Sequence, residues 1–106
     1  MIPRRFHPAA WEEYEDIIAC YAEVGPEMVA DFMKCVEEYI LLIRQNPLLF
    51  HERRFTVRRA NLRPRFGEFY IAFLLWRGQA VILAIAHGKR RPFYFRDRIG
   101  EARRMF

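Results

Sequence analysis

Two apolar runs, Phe69 to Trp76 and Ala80 to Ala86, separated only by Arg77-Gly78-Gln79, constrain this chain more than any other feature. Two runs of strand length joined by a short Gly-containing break read as a β-hairpin. Both runs are apolar on successive residues, so the sheet they form is covered on both faces over at least part of its area. The second run leads directly into His87-Gly88-Lys89-Arg90-Arg91-Pro92, which places one His and three cations at a strand end. The remaining segments read as what covers this sheet.

Ile2 to Phe6 is a short strand candidate that His7-Pro8 ends, because the residue before proline favours extended geometry and proline suits a first helical turn. A helix follows over residues 8–23. Trp11, Tyr14, Ile18 and Tyr21 form its packing stripe, and Glu12, Glu13, Glu15 and Asp16 crowd its opening turns, near the positive end of the helix dipole. Gly25-Pro26 breaks the chain and starts a second helix over residues 26–45, with Val29, Phe32, Val36, Ile40 and Ile43 as its stripe and Asn46-Pro47 as its stop. These helices form an αα-hairpin. Residues 56–86 supply three consecutive antiparallel strands, starting at Thr56, and residues 87–106 a basic, aromatic C-terminal segment. In that segment Phe93-Tyr94-Phe95 packs on the core and Arg96 to Phe106 is a short helix or a tail. The expectation is one α+β domain over residues 1–106: an N-terminal strand, then an αα-hairpin on one face of a largely antiparallel sheet whose last strands form a meander.

Charge is divided along the chain. Residues 1–50 carry four Lys/Arg and nine Asp/Glu, a net −5; residues 51–106 carry fourteen Lys/Arg, thirteen of them Arg, against four Asp/Glu, a net +10. If the halves separate in space, the basic side attracts nucleic acid or an acidic protein, and Arg suits bidentate contacts to phosphate or carboxylate. The longest apolar run, eight residues, is far short of the roughly 20 that span a bilayer. No apolar stretch follows the basic N-terminus. A cytoplasmic protein without membrane contact is expected. Cys20 and Cys35 lie in helical patterns and read as buried thiols, without the His spacing of a zinc site. No metal or cofactor is implied.

The element order, the helix opening Pro8-Ala9-Ala10, the helix end Ile43-Arg44-Gln45-Asn46-Pro47, the stretch Val57-Arg58-Arg59-Ala60-Asn61-Leu62 and the string Ala84 to Phe95 with Arg98 after it together resemble the RelE/ParE toxins of bacterial type II toxin–antitoxin modules. The apolar strand, His, basic pair, Pro, aromatics and Arg that close the chain are most similar to the ParE-like branch. The resemblance implies a growth-arresting toxin, often plasmid-stabilising, held inactive by a cognate antitoxin with a flexible, often acidic segment. ParE-like members act on DNA gyrase without assigned nuclease chemistry, whereas RelE-like members cut messenger RNA on the ribosome. Whether toxin chains pair as homodimers, and which residues meet the antitoxin, is left open.

Metal-free RNA cleavage needs a base, cations for the phosphorane and an acid. Under the RelE-like alternative Arg90 and Tyr94 match family positions and His87 is a candidate acid or base. The catalytic Arg of the preceding strand is replaced by Tyr70, however, and only Lys34 and Lys89 are present. Arg53, Arg54 and Arg58 could substitute electrostatically, but Arg stays charged and serves poorly as a base. His87 reads more simply as a strand end that bonds locally, Tyr94 as a packing residue, His7 as a helix start and His51 as a loop residue. The chosen reading is a ParE-like gyrase inhibitor whose target-binding cluster is Arg59, Arg90, Arg91 and Arg98. The alternatives are a RelE-like ribosome-dependent endoribonuclease and a non-toxic basic binding module.

Overall fold

Prolines set the helix boundaries. In the computed structural model, which describes Met1–Phe106, Pro8 opens α1 (Pro8–Ala22) and Pro26 opens α2 (Pro26–Gln45), which stops before Pro47. His7 caps α1 through its Nδ1, which accepts from the Ala9 N–H at 3.0 Å. The first turn of α1 carries no acid, so the carboxylates expected to meet the helix dipole lie further along and are free for other work.

The strands are β1 (Arg4–Phe6), β2 (Arg58–Leu62), β3 (Phe66–Trp76) and β4 (Gln79–His87), in the spatial order β1-β4-β3-β2. β2, β3 and β4 form the expected antiparallel meander, and β1 joins β4 in parallel with Arg4 beside Ala80 and Phe6 beside Ile82. Arg77 and Gly78, with φ of 51° and 72°, make the tight turn between β3 and β4. Two left-handed residues suit a hairpin because their twist matches that of the strands. β2 begins at Arg58 and not at Thr56, because Phe55 and Thr56 are themselves left-handed, with φ of 59° and 64°.

Strand alternation sorts the side chains onto two faces. Ile71, Phe73, Ile82 and Ile85 pack against Phe32, Val36, Ile40 and Ile43 of α2 and Tyr14 of α1. Tyr70, Ala72, Leu74, Val81, Leu83 and Ala86 form a second cluster on the opposite face with Phe95, Ile99 and Ala102. The last two belong to α3 (Asp97–Met105). The helices are therefore not all on one face: the charged C-terminal stretch contains a helix whose Ile99 and Ala102, with Phe95 just before it, cover the sheet from the other side. A bulge marks β4, where Ala72 faces Ala84 but Phe73 faces Ile82, so Leu83 is an extra residue.

Burial of the cysteines is corrected. Cys20 is exposed, one residue off the stripe of Tyr14, Ile18 and Tyr21, and Cys35 is half-buried. Burial, with Glu38 adding to it, pushes the Cys35 thiol above its ordinary value. No helix is long and apolar enough to cross a membrane.

Tyr14 is buried and its hydroxyl meets no partner. Burial foremost, then the charge of Glu37, pushes its pKa up to about 12, with Arg4 acting against them. The folded-state value lies above the unfolded one, so this contribution is whole below about pH 10 and is lost as pH rises toward 12. Tyr14→Phe should be no less stable than the parent at neutral pH, since it removes an unpaired buried hydroxyl. It should also lose less stability between about pH 10 and 12, by up to about 3 kcal/mol. Urea unfolding across that range checks this; parallel curves for the two proteins would contradict it.

Candidate functional site

β1 ends at Phe6, and the His7 N–H donates to the Ile82 carbonyl at 2.9 Å. Beyond that point β4 has no neighbouring strand on this side. Two side chains complete the edge. The Ile85 N–H donates to Glu13 Oε1 at 3.2 Å, and Arg98 Nη1 donates to the Leu83 carbonyl at 3.0 Å. The two also bind each other: Arg98 Nη1 lies 2.8 Å from Glu13 Oε1 and Nη2 lies 3.2 Å from Oε2. The Tyr94 hydroxyl donates to Glu13 Oε2 at 2.5 Å, and Arg90 Nη1 approaches the same oxygen at 3.3 Å. The Arg90 guanidinium stacks 3.7 Å from the centre of the Tyr94 ring.

The Glu13 and Arg98 side chains are only 14% and 16% exposed. Burial pulls the Arg98 guanidinium down, but its hydrogen bonds to and attraction for Glu13 prevail and hold it above its ordinary value. Burial chiefly, then the hydrogen bond and charge of Glu13, pushes the Tyr94 hydroxyl well up. The site holds one carboxylate, two guanidinium groups and a phenol that keeps its proton. One carboxylate faces two cations, so the network keeps a net positive charge, and Arg90 is its exposed member.

Arg59 stands beside this network on the same face of the sheet. Its guanidinium lies 3.8 Å from the centre of the Tyr70 ring, and its Nε donates to Asn61 Oδ1 at 2.9 Å. Burial lowers its pKa, Tyr70 opposes that and Arg53 adds to it. Burial likewise pushes the Tyr70 hydroxyl up. Arg53, Arg59, Tyr70 and Phe93 line a cavity of about 190 Å³. Arg58 faces the other way and donates to the Phe50 carbonyl at 2.7 Å.

The expected cluster of Arg59, Arg90, Arg91 and Arg98 thus divides. Arg90 and Arg98 converge, but on Glu13. Arg59 packs on Tyr70. Arg91 is exposed and lines a separate concavity with Arg54 and Arg96. The acidic and basic halves of the sequence are stitched together by Glu13 with Arg90 and Arg98, and by Asp31 with Arg65.

His87 accepts from the Lys89 N–H through Nδ1 at 3.0 Å and sits edge-on to Phe69, bonding locally as the residues suggested. His51 is exposed in a loop. His7 does more than start a helix: it is buried, and its Nε2 lies 2.8 Å from Glu101 Oε1, which ties α3 to the start of α1. Because Nδ1 accepts from Ala9, Nε2 carries the hydrogen that Glu101 receives. Sequence reasoning missed Glu13 and Glu101. The readable signal for Glu13 was its place between Ala10 and Ile17, on the sheet-facing side of α1.

A family model described as the ParE toxin of type II toxin–antitoxin systems, parDE, matches residues 4–92. The match includes Glu13, Arg59, Tyr70 and Arg90 and stops short of Tyr94 and Arg98. No curated protein matches the chain.

Removing one member of a buried ion pair strands the other, which costs about 3–5 kcal/mol. Glu13→Ala should therefore lower stability by about 3 kcal/mol. Arg90→Ala should cost below about 1 kcal/mol, because that side chain is 52% exposed. Chemical denaturation of both variants checks this; equal small losses would make Glu13 an ordinary surface partner.

Proposed function

We propose that this chain, which belongs to the ParE toxin family of type II toxin–antitoxin systems, arrests growth in the cytoplasm by binding and inhibiting DNA gyrase, and does not cut nucleic acid. The observation that carries the second half of this reading is the engagement of Glu13. The Tyr94 proton is directed at the Glu13 carboxylate, with a pKa pushed far above neutral. Two guanidinium groups and a backbone N–H saturate that carboxylate. His87 spends one ring nitrogen on its own loop. Tyr94 and Glu13 are thus engaged with each other and not held ready as the acid and base that strand cleavage requires, and His87 keeps one ring nitrogen.

Induced expression should produce filamentation with DNA-damage signalling, and purified protein should inhibit supercoiling by gyrase. Rapid loss of messenger RNA with ribosome-associated cuts would instead establish the RelE-like alternative, with Arg90, Tyr94 and His87 as its residues. Normal growth on expression would favour a non-toxic basic binding module.

The family implies an antitoxin partner, and we propose where it docks. A groove of about 290 Å³ opens beside β1, with Phe6, Trp11, Met33 and Leu41 in its lining together with two cations, Arg4 and Arg44, and one acid, Glu37. Trp11 and Leu41 are 44% and 43% exposed and lie together in this groove. Pro3 and His7 turn their backbone groups toward β4, so Arg4 and Phe6, alternating with them, turn theirs outward. An open strand edge beside an apolar groove whose charged lining is net positive suits an extended antitoxin segment of alternating apolar and acidic residues. Trp11→Glu or Leu41→Glu should leave the toxin active but defeat rescue by co-expressed antitoxin. Full rescue of both variants would place the antitoxin elsewhere.

A further inference from the structure

In the basic half of the chain, Arg58, Arg65, Arg90 and Arg98 form ion pairs with Glu52, Asp31 and Glu13. Arg54, Arg91, Arg96 and Arg103 pair with no carboxylate, and two of them, Arg54 and Arg96, lie against the Phe55 and Phe93 rings. Phe55 and Phe93 meet edge to face at 5.6 Å. The Arg54 guanidinium lies 5.0 Å from the centre of Phe55 and 5.7 Å from that of Phe93, and the Arg96 guanidinium lies 4.6 Å from Phe55. Arg54, Arg91 and Arg96 face a common concavity of about 310 Å³, with Asp97 at its edge. Arg103 continues the array toward Trp76, 5.4 Å from its ring, and reaches the Thr56 hydroxyl at 3.5 Å.

The backbone under this patch is strained. Four non-glycine residues have positive φ, and three of them, Phe55 at 59°, Thr56 at 64° and Phe93 at 56°, lie here. A left-handed conformation is uncommon for any non-glycine residue, a genuine outlier for bulky ones, and such residues cluster at functional surfaces. Here the strain sets both rings among the guanidinium groups.

We propose that the patch formed by Arg54, Phe55, Arg91, Phe93 and Arg96 binds the phosphodiester backbone of nucleic acid without regard to base sequence. Phosphate suits planar guanidinium forks that are already held in place. The rings serve as platforms for the arginines, and Phe55 itself stays 37% exposed. A peptide partner draws most of its affinity from apolar anchors in pockets, whereas this concavity presents three arginines beside Phe55, Pro92, Phe93 and Tyr94 and so favours a polyanion. Arg90 and Arg98 lie outside the patch, where both are engaged by the single carboxylate of Glu13. The inference stands whether or not gyrase is the target.

The test is fluorescence anisotropy of the purified full chain with a labelled short duplex and with one of its single strands, each at several salt concentrations. The parent should bind at low salt and weaken linearly on a logarithmic salt scale, the mark of counterion release. Arg54→Ala/Arg96→Ala should weaken binding about tenfold and reduce the salt slope by about 2. Arg4→Ala/Arg5→Ala, which removes the same charge from β1, should change binding less than about threefold. Whichever nucleic acid binds more tightly identifies the form recognised. If the patch variant does not fold, Arg91→Ala carries the same test with a slope change of about 1, since that side chain packs on neither ring. Absence of binding, equal loss in the patch and β1 variants, or tighter binding of polyglutamate than of either nucleic acid would overturn the proposal.

Discussion

A sheet buried on both faces cannot leave backbone groups unpaired in its middle, and this chain has to satisfy that rule with a first strand only three residues long. β4 outlasts β1. Past Ile82 its Leu83 carbonyl and Ile85 N–H face a gap that a longer β1 would have filled. Glu13 and Arg98 fill it instead, one from α1 and one from α3, each taking one backbone group and then joining to the other. The bulge at Leu83 is part of this arrangement, because it turns the carbonyl of Leu83 and the N–H of Ile85 toward the open side. A side-chain ion pair performs the role of a strand segment.

Much else follows from that substitution. α3 has only a small apolar stripe, Ile99 and Ala102, extended by Phe95 just before it, with which to hold the sheet. Its position is secured by Arg98 on Glu13 and by Glu101 on His7, both partners lying in or beside α1. The C-terminal helix is thus fastened to the N-terminal helix across β4, by contacts between residues 94 and 85 apart in the chain. The charge asymmetry of the sequence is consumed in part at this seam. An acidic first half and a basic second half do not make a simply polarised molecule, because some of their charges exist to find each other.

The sequence made the covering elements plain where a single residue type decides. Pro8, Pro26 and Pro47 bound α1 and α2, and two apolar runs around Arg77-Gly78 bound the hairpin. It was silent where a tertiary contact decides. The parallel pairing of β1 with β4 depends on where α2 returns the chain. The helix at Asp97–Met105 has charged residues over most of its surface and a stripe too short to stand out. Glu13 looked like one of four solvent-facing acids, yet its spacing from Ala10 and Ile17 already placed a carboxylate on the buried side of α1. The candidate site was half legible for the same reason. Arg90 and Arg98 were expected within one cluster with Arg59 and Arg91, but the group that joins the two lies about eighty residues earlier in the chain.

Two kinds of arginine therefore occupy one Arg-rich half, and burial separates them. Arg98 is enclosed, and its charge is tolerable only because a carboxylate and a carbonyl share it. Arg54, Arg91 and Arg96 stand in water, where an ion pair would contribute little, and none is provided. Arg54 and Arg96 are positioned by another route, through rings held beside them by a left-handed backbone. A solvated face needs no such restraint, because mobile cations solubilise a surface as well as fixed ones. Fixing them has a use only if the geometry of the array matters to something that touches it. Glu13 makes the same point in reverse: where an arginine is required for the fold, the chain supplies the anion itself.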